Sequence, residues 1–251
     1  MKISVITVCY NAAATIEDAV RSVASQDHPD VEHIVIDGGS RDGTQAILER
    51  NKARISRLVS EPDQGIYDAM NKGIALATGD VVGFLNADDW YAHPGVLSKV
   101  AAQFAQAEVD ACYADLVYVD QDDPARVVRY WTSRPYRDGL CERGWMPAHP
   151  TFYVRREIYR RHGGFDTRYR LQADYEICMR LLAVKHIKAV YVPEIWVRMR
   201  MGGATNRSIR NVWRGNLEAY RAARESGLRV SPLFILQKLL SRVPQFFARP
   251  G

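Results

Sequence analysis

Four apolar runs in the first third of the chain each break off at a polar segment, and that pattern leaves few folds open. Ile3–Val8 runs into Cys9-Tyr10-Asn11, and Val31–Ile36 into Asp37-Gly38-Gly39-Ser40. Ile55–Ser60 runs into Glu61-Pro62-Asp63, and Val81–Leu85 into Asn86-Ala87-Asp88-Asp89. The first run is β-branched with no period of two, as in a strand buried on both faces. Between the runs the spacing turns helical. Ala14–Ser25 places Ile16, Ala19, Val20 and Val23 on one face behind Thr15 as N-cap, Thr44–Lys52 follows, and Ile66–Ala77 closes at Gly79. This βαβαβαβ order predicts an α/β fold, a mostly parallel central sheet with helices on both faces. Such sheets bind ligands beyond the carboxyl ends of their strands, and three of the four ends here are acidic.

The second half is less regular. Pro94–Gln106 reads as a helix, Ala111–Val119 and Val127–Trp131 as strands, and Gly139–Pro150 as a loop. A strand at Thr151–Val154, helices at Arg155–His162 and Ala173–Val184, and a strand at Ile187–Val192 follow. No Gly/Ser linker interrupts the chain, so we expect one domain over 1–225, with halves 1–90 and 91–225, and a tail over 226–251. With 47% hydrophobic and 25% charged residues, the 251-residue chain has a globular composition that excludes disorder. Four scattered cysteines with no CxxC pair argue against a zinc site or a disulfide scaffold. The opening MKISVITVCYN reads as a buried strand rather than a signal peptide, and no apolar run approaches the roughly 20 residues of a membrane span. The expected location is cytoplasmic, at most peripheral on a membrane.

Charge divides the chain. Residues 1–125 hold 9 Lys and Arg against 20 Asp and Glu, whereas residues 126–251 hold 25 against 9, and 22 of those 25 are Arg. An acidic half that could hold a cation and an arginine-rich half suit a phosphorylated ligand or an anionic surface, although such a pattern also serves plain solubility. In the tail, Ser231–Phe247 reads as an amphipathic helix. Pro232, Ile235, Leu236, Leu239, Leu240, Val243, Phe246 and Phe247 share one face, and Gln237, Lys238, Ser241, Arg242 and Gln245 the other. Residues 231–249 could lie in an anionic membrane interface, or the helix could dock on the protein's own core.

Asn86-Ala87-Asp88-Asp89 offers oxygen ligands for a hard divalent cation, Mn²⁺ or Mg²⁺, although an acid there could also cap the next helix. Asp37 could accept hydrogen bonds from a base or ribose, or simply hold its own Gly-rich turn. No GxGxxG follows the first strand and no GxxxxGK[ST] occurs, so a dinucleotide dehydrogenase and a P-loop NTPase are ruled out.

The blocks TVCYNAAATIEDAVRSVASQ, VIDGGSRDGT, EPDQGIYDAMNKGIALATGD and FLNADDW resemble the nucleotide-binding half of family 2 glycosyltransferases of the GT-A (Rossmann-like) fold. HPTFYVRREIYRRHGGFDTRYRLQADYEICMRL is similar to their acceptor-side half, and the closest flavour is the bacterial exopolysaccharide, colanic-acid and lipopolysaccharide enzymes. The resemblance spans residues 2–205 and implies an inverting, metal-dependent transfer. A sugar would pass from a nucleotide-diphosphate sugar, UDP by default, to a saccharide acceptor, lipid-linked, in cell-surface polysaccharide synthesis. It implies that Tyr10 stacks on the base with Val8 beside it, and that Asp37 binds base or ribose. Asp88 would hold the metal with Asn86 at the first position of the family's DxD motif, and Asp174 would be the catalytic base. Asp68 (four residues before Lys72) and His149 join the candidate donor site, and Arg198, Arg200 and the loop Gly202–Thr205 could close over the diphosphate. Asn86 stands where many members have Asp, Gly38 where many have a second Asp, and Ala173 where a Glu is common. Trp131, Trp145 and Trp196 could stack on sugars or pack the core. A sugar-phosphate nucleotidyltransferase would need a Gly-rich basic loop where Tyr10-Asn11-Ala12-Ala13 stands. A non-catalytic relative would be expected to have lost Asp37, Asp88 or Asp174, and no nucleic-acid-binding module is recognisable.

Overall fold

The computed structural model describes residues 1–201, 209–242 and 245. Its first half alternates as the sequence requires: β1 (Ile3–Cys9), α1 (Ile16–Ala24), β2 (Val31–Asp37), α2 (Thr44–Arg50), β3 (Arg57–Ser60), α3 (Ile66–Leu76) and β4 (Val81–Phe84). The second half holds β5 (Asp89–Tyr91), α4 (Val96–Gln103), β6 (Ala111–Val119), β7 (Val127–Trp131) and β8 (Tyr153–Arg155). After these come α5 (Arg156–His162), α6 (Ala173–Met179), β9 (Ala189–Arg200), α7 (Ile209–Glu225) and α8 (Phe234–Leu240).

Among the described residues these strands form one sheet in the order β3-β2-β1-β4-β8-β6-β9-β5, with β7 paired to β6. The β3-β2-β1-β4 half is parallel, as expected. Beyond β4 the sheet is mixed: β8 runs antiparallel to β4 and β6, β7 is antiparallel to β6, and β9 is parallel to β6 but antiparallel to β5. The expectation of a mostly parallel sheet therefore holds for the first half only. The connections after residue 90 lack the regular crossover helices that make neighbouring strands parallel.

Alternate residues of the central strands serve two cores. Ile6, Val8, Ile34, Ile36 and Phe84 pack with side chains of α3, α6 and α7. Ile3, Val5, Val81 and Leu85 face α4 and the side of β6 that carries Cys112 and Ala114. Phe234 of α8 joins the first of these cores, so the chain after residue 225 packs on the domain.

Three sequence expectations differ from the structure. α7 was not anticipated, because its exposed, arginine-rich turns carry a weak apolar signal. β9 is longer than Ile187–Val192, since its far end pairs with the three residues of β5. The tail helix spans Phe234–Leu240, and Val243, Pro244, Phe246 and Phe247 lie outside the described residues. Its faces are also partly reversed: Ile235 packs on the core as expected, but the rest of the pattern turns. Phe234 and Lys238 are buried, whereas Leu233, Leu236, Leu239 and Leu240 are exposed.

Two consequences can be measured. A Cβ at Gly83 in β4 would stand 2.2 Å from the ring of Tyr153, and that ring is fully buried with its hydroxyl 2.5 Å from the hydroxyl of Tyr91. Gly83→Ala should lower unfolding stability by about 1–3 kcal/mol; an unchanged urea midpoint would contradict this packing. His33, buried in β2 with Nε2 3.0 Å from Thr7 Oγ1, is pushed down from 6.5 to about 4 by burial. Between those values the unfolded chain holds a proton that the folded chain excludes, so stability falls as pH drops from 6.5 to 4, by at most about 3 kcal/mol. Buried His149 is lowered in the same sense. His33→Gln should therefore flatten the acid dependence without abolishing it, as read by urea melts at pH 7, 6 and 5.

Candidate active site

Parallel register brings the polar strand ends together. Cys9 pairs with Asp37 and Asp37 with Ser60, while Ile6 pairs with Phe84, two residues before Asn86. Val8 is buried in β1, and Tyr10 follows with its side chain 64% exposed. The Tyr10 ring lies beside Gly38, where a Cβ would come 3.4 Å from Tyr10 Cδ2 and 2.4 Å from Asp63 Oδ2. An open ring edged by a backbone without a side chain is a platform on which a planar base can stack.

Asp37 is fully buried and already served. It accepts from Ser60 Oγ at 2.6 Å, from the Ser40 amide at 3.2 Å and from the Ser40 hydroxyl, and the Cys9 thiol lies 3.7 Å away. These bonds fix the Gly38–Ser40 turn beneath Tyr10. A ribose hydroxyl would reach Asp37 only by displacing one of them. Asp68 Oδ2 accepts from the Gln64 amide at 3.0 Å and lies 3.8 Å from Lys72, whose ammonium meets Glu61 at 2.8 Å. The Asp68–Lys72 pair thus shapes the turn that opens α3.

At the end of β4, Asn86 Nδ2 donates to Asp89 Oδ2 at 3.2 Å, and Asp88 is half-buried between them in sequence. Asn86 Oδ1 and Asp89 Oδ1 are buried and take no hydrogen bond among the described residues. Burial, then the charge of Asp88, pushes the Asp89 carboxyl well above the usual range. Pairing of β5 with β9 brings arginines to this acidic end, with Trp90 opposite Arg198 and Asp89 opposite Met199. Arg200 ion-pairs with Asp18 at 2.5 Å and lies over the Trp90 ring at 4.7 Å, while Arg198 donates to the Pro124 carbonyl at 3.2 Å. Gly202–Thr205 lies outside the described residues.

A row of rings links this end of β4 to α6. Phe84 lies 5.3 Å from Phe165, Phe165 stacks 5.4 Å from Tyr67, and the Tyr67 hydroxyl donates to Asp174 Oδ1 at 3.2 Å. The Tyr175 amide donates to the same oxygen at 2.8 Å, and among the described residues Oδ2 takes no hydrogen bond. Asp174 is half-buried in the first turn of α6. Burial, then the charge of Asp174, pushes the Tyr67 phenol well above its usual value, so it remains a donor. His149 is only 7% exposed, and its ring nitrogens have no partner among the described residues. Its ring lies 5.6 Å from both Phe84 and Phe165. Burial lowers its pKa, and Asp174 opposes that shift. Trp196 is fully buried in the core, Trp145 is nearly so, and Trp131 stacks on Tyr118.

Sequence reasoning missed Tyr67, since nothing in the chain pairs residue 67 with residue 174.

No three His, Cys, Asp or Glu side chains gather into a metal cage among the described residues. The orphaned Asn86 oxygen beside Asp88 is nonetheless a hard oxygen donor set of the kind Mg²⁺ and Mn²⁺ accept, with phosphate oxygens or water filling the remaining positions.

Comparison with known proteins identifies the family and the fold. A family profile described as glycosyl transferase family 2 matches residues 4–171. A PGL/p-HBAD biosynthesis glycosyltransferase of Mycobacterium bovis BCG is 33% identical over 180 residues, 70% of this chain and 68% of that protein. An uncharacterised glycosyltransferase of Mycobacterium tuberculosis is 33% identical over 188 residues, 72% of this chain and 69% of its own length. Among solved structures, Staphylococcus aureus TarS 1-349 in complex with UDP superposes with a TM-score of 0.66 at 18% identity, covering 95% of this chain and 71% of that one. A mannosyltransferase from Pyrobaculum calidifontis, in complex with GDP-Man and Mn²⁺, gives 0.67 at 21% identity, covering 96% and 69%. Strand ends, the carboxylate on α6 and these matches converge, and the chain belongs to glycosyl transferase family 2 as a glycosyltransferase built on the GT-A fold.

Proposed function

We propose that the protein is an inverting transferase that moves a sugar from a UDP-sugar to a lipid-linked saccharide in cell-surface polysaccharide synthesis. The observation that carries the reading is the state of Asp174. One carboxylate oxygen is held by Tyr67 and the Tyr175 amide, and the other takes no hydrogen bond among the described residues. An acceptor hydroxyl is a weak nucleophile, and a fixed carboxylate with one open oxygen can take its proton as it attacks the anomeric carbon. Tyr10 stacks on the base, with Val8 and Asp37 beneath it and Asp68 shaping the rim. His149 lies at the sugar, its unpartnered nitrogens available to a hydroxyl or phosphate oxygen. Asp88, with Asn86 beside it, would hold a Mn²⁺ or Mg²⁺ ion that neutralises charge on the leaving diphosphate. Arg198 and Arg200 lie beside that end, and Arg200 can add a donor from its unpartnered Nε. A cleft lined by Trp131, Arg134, Trp145 and Arg242 combines aromatic and guanidinium groups and suits a saccharide acceptor bearing phosphate. The UDP and GDP-Man bound by the structural neighbours favour transfer over the nucleotidyltransferase alternative.

The acceptor end faces an anionic membrane in this reading, with residues 1–225 as the catalytic domain on the cytoplasmic side and 226–251 as its membrane-proximal arm. No described helix is long and apolar enough to cross a membrane. Instead α8 presents Leu233, Leu236, Leu239 and Leu240 outward, and neighbouring α7 exposes Trp213 and Leu217 with Arg214, Arg221 and Arg224. Outward leucines flanked by arginines match the apolar boundary and phosphate headgroups of an anionic bilayer.

Three experiments test this reading. Calorimetric titration of UDP should show binding that depends on Mn²⁺ and is lost in Asp88→Ala. With UDP-glucose, UDP-galactose and UDP-N-acetylglucosamine tried as donors, Asp174→Asn should lower kcat by about a thousandfold with donor binding intact. Binding of GDP but not UDP would overturn the choice of base, and an active Asp174→Asn would overturn the role of Asp174. Sedimentation with phosphatidylglycerol vesicles should be weakened about tenfold or more in Leu236→Glu/Leu240→Glu. Equal sedimentation of that variant and the wild type would remove α8 from the membrane contact.

A further inference from the structure

α8 brings a charged group into the protein interior. Lys238 is 1% exposed, and its ammonium donates to Gln172 Oε1 at 2.5 Å while lying 4.7 Å from the centre of the Tyr175 ring. The slot that receives it is assembled from separate segments. Gly144, in the left-handed region with φ of 80°, lets the lysine stem pass, since a Cβ there would stand 2.6 Å from Lys238 Cβ. Tyr175 closes the slot from α6 and is fixed in turn by its hydroxyl bond to the Cys141 carbonyl at 2.7 Å and by the Phe234 ring at 6.0 Å. Gln172 occupies the N-cap position of α6, two residues before Asp174, and its amide donates to the Leu171 carbonyl at 2.9 Å.

As a stabilising device this arrangement is poor. A buried ammonium that has, among the described residues, one neutral hydrogen-bond acceptor and an aromatic face loses more hydration than it recovers, and a methionine of similar length would pack at lower cost. Burial first, then the charge of Arg242 in the same segment, bring Lys238 down to about 7, with the carboxylate of Asp174 opposing both. The lysine is therefore within electrostatic reach of Asp174 while bonded to the residue that starts its helix.

We propose that Lys238 is a positioning residue for Asp174: through Gln172 it fixes the first turn of α6, so that the docked C-terminal helix holds the catalytic carboxylate in place. This rests on the reading of Asp174 as the base. Gln172 and Tyr175 flank Asp174, and its Oδ1 is already held by Tyr67 and the Tyr175 amide. Lys238 adds to this frame through Gln172 and the Tyr175 ring, with no contact to the substrate required. Misplacing a reacting group by about 1 Å can cost on the order of a hundredfold in rate, so a bond that only steadies a turn has a kinetic consequence.

The test uses the full chain, with Lys238→Met, Gln172→Met and the double variant. Hydrogen exchange of the Tyr175 and Glu176 amides, which report the first turn of α6, should speed up by about tenfold in both single variants while β1 and β2 are unchanged. With whichever of the three UDP-sugars the wild type turns over, kcat should fall about 10- to 100-fold at nearly constant donor KM. The double variant should be no worse than either single one, because both remove the same link. Melting temperature should stay level or rise in Lys238→Met, separating loss of positioning from loss of fold. Unchanged amide exchange, additive losses in the double variant, or a fall in kcat matched by a fall in melting temperature would each overturn the proposal. If Lys238→Met does not fold, Gln172→Met alone carries the same exchange and kinetic readouts. An active Asp174→Asn would refute the base itself, whereas an inactive Asp174→Asn beside a fully active Lys238→Met would refute only the role given to the lysine.

Discussion

The parallel pairing of β1 with β2 on one side and β4 on the other governs where chemistry can occur in this molecule. Parallel strands start at one edge of a sheet and finish at the opposite one, so their polar ends collect in one crevice. Tyr10, Asp37, Glu61 and Asn86–Asp89 are there because β1, β2 and β3 end level in register and β4 stops three residues short of them, at Phe84 opposite Ile6. Asp37 then acts as the internal anchor of that crevice. Its bonds to Ser40 and Ser60 tie the turn after β2 to the end of β3, and Gly38 leaves the Tyr10 ring an open side. A carboxylate so fully served shapes the crevice itself, and in the proposed function it would set the donor pocket before any contact with the ligand.

The sheet's mixed half completes what the parallel half begins. A chain of parallel crossovers alone would have left the acidic end of β4 with no cation nearby. β9 instead runs past β6 and reaches back to pair with β5, carrying Arg198 and Arg200 to the residues after Asn86. The strong division of charge along the sequence is thus folded into adjacency. Arg200 meets Asp18 and Trp90, and Asp89 sits buried opposite the same strand. Opposite charges close together in a partly dry crevice favour a ligand that carries both a metal and phosphate.

Much of this was legible in the sequence because it follows from local pattern. β1, β2 and β4 are apolar on both faces, and their polar ends mark the crevice. The bounds of β6 and β7 were readable because each is mostly apolar, broken by a single charged residue, Asp115 in one and Arg129 in the other. What escaped had no local signal. β5 is three residues long and exists only through its pairing with β9. α7 is arginine-rich with exposed Trp213 and Leu217, so its apolar periodicity is diluted. Tyr67 meets Asp174 across more than a hundred residues, a contact fixed by the stacking of Phe165. The tail shows a different failure. Its amphipathic pattern was visible, but the rule that polar residues face outward misassigns Lys238, because that rule assumes water on the outside and apolar atoms within.

That reversal connects the two ends of the proposed reaction. A helix that turns leucines outward and a lysine inward is a poor solution for a surface bathed only in water, since each choice is unfavourable taken alone. The two choices become consistent if the outward face meets lipid and the inward lysine has a task. Leu236 and Leu240 would then sit in the boundary layer where a lipid-linked acceptor resides, while Lys238, between them in sequence, reaches the start of the helix that carries Asp174. One short helix would therefore report on the surface that supplies the acceptor and steady the carboxylate that activates it. Coupling of this kind needs no moving lid. It requires only that the free energy of seating α8 be shared between the membrane face and the bond to Gln172, so that loss of either contact loosens the other.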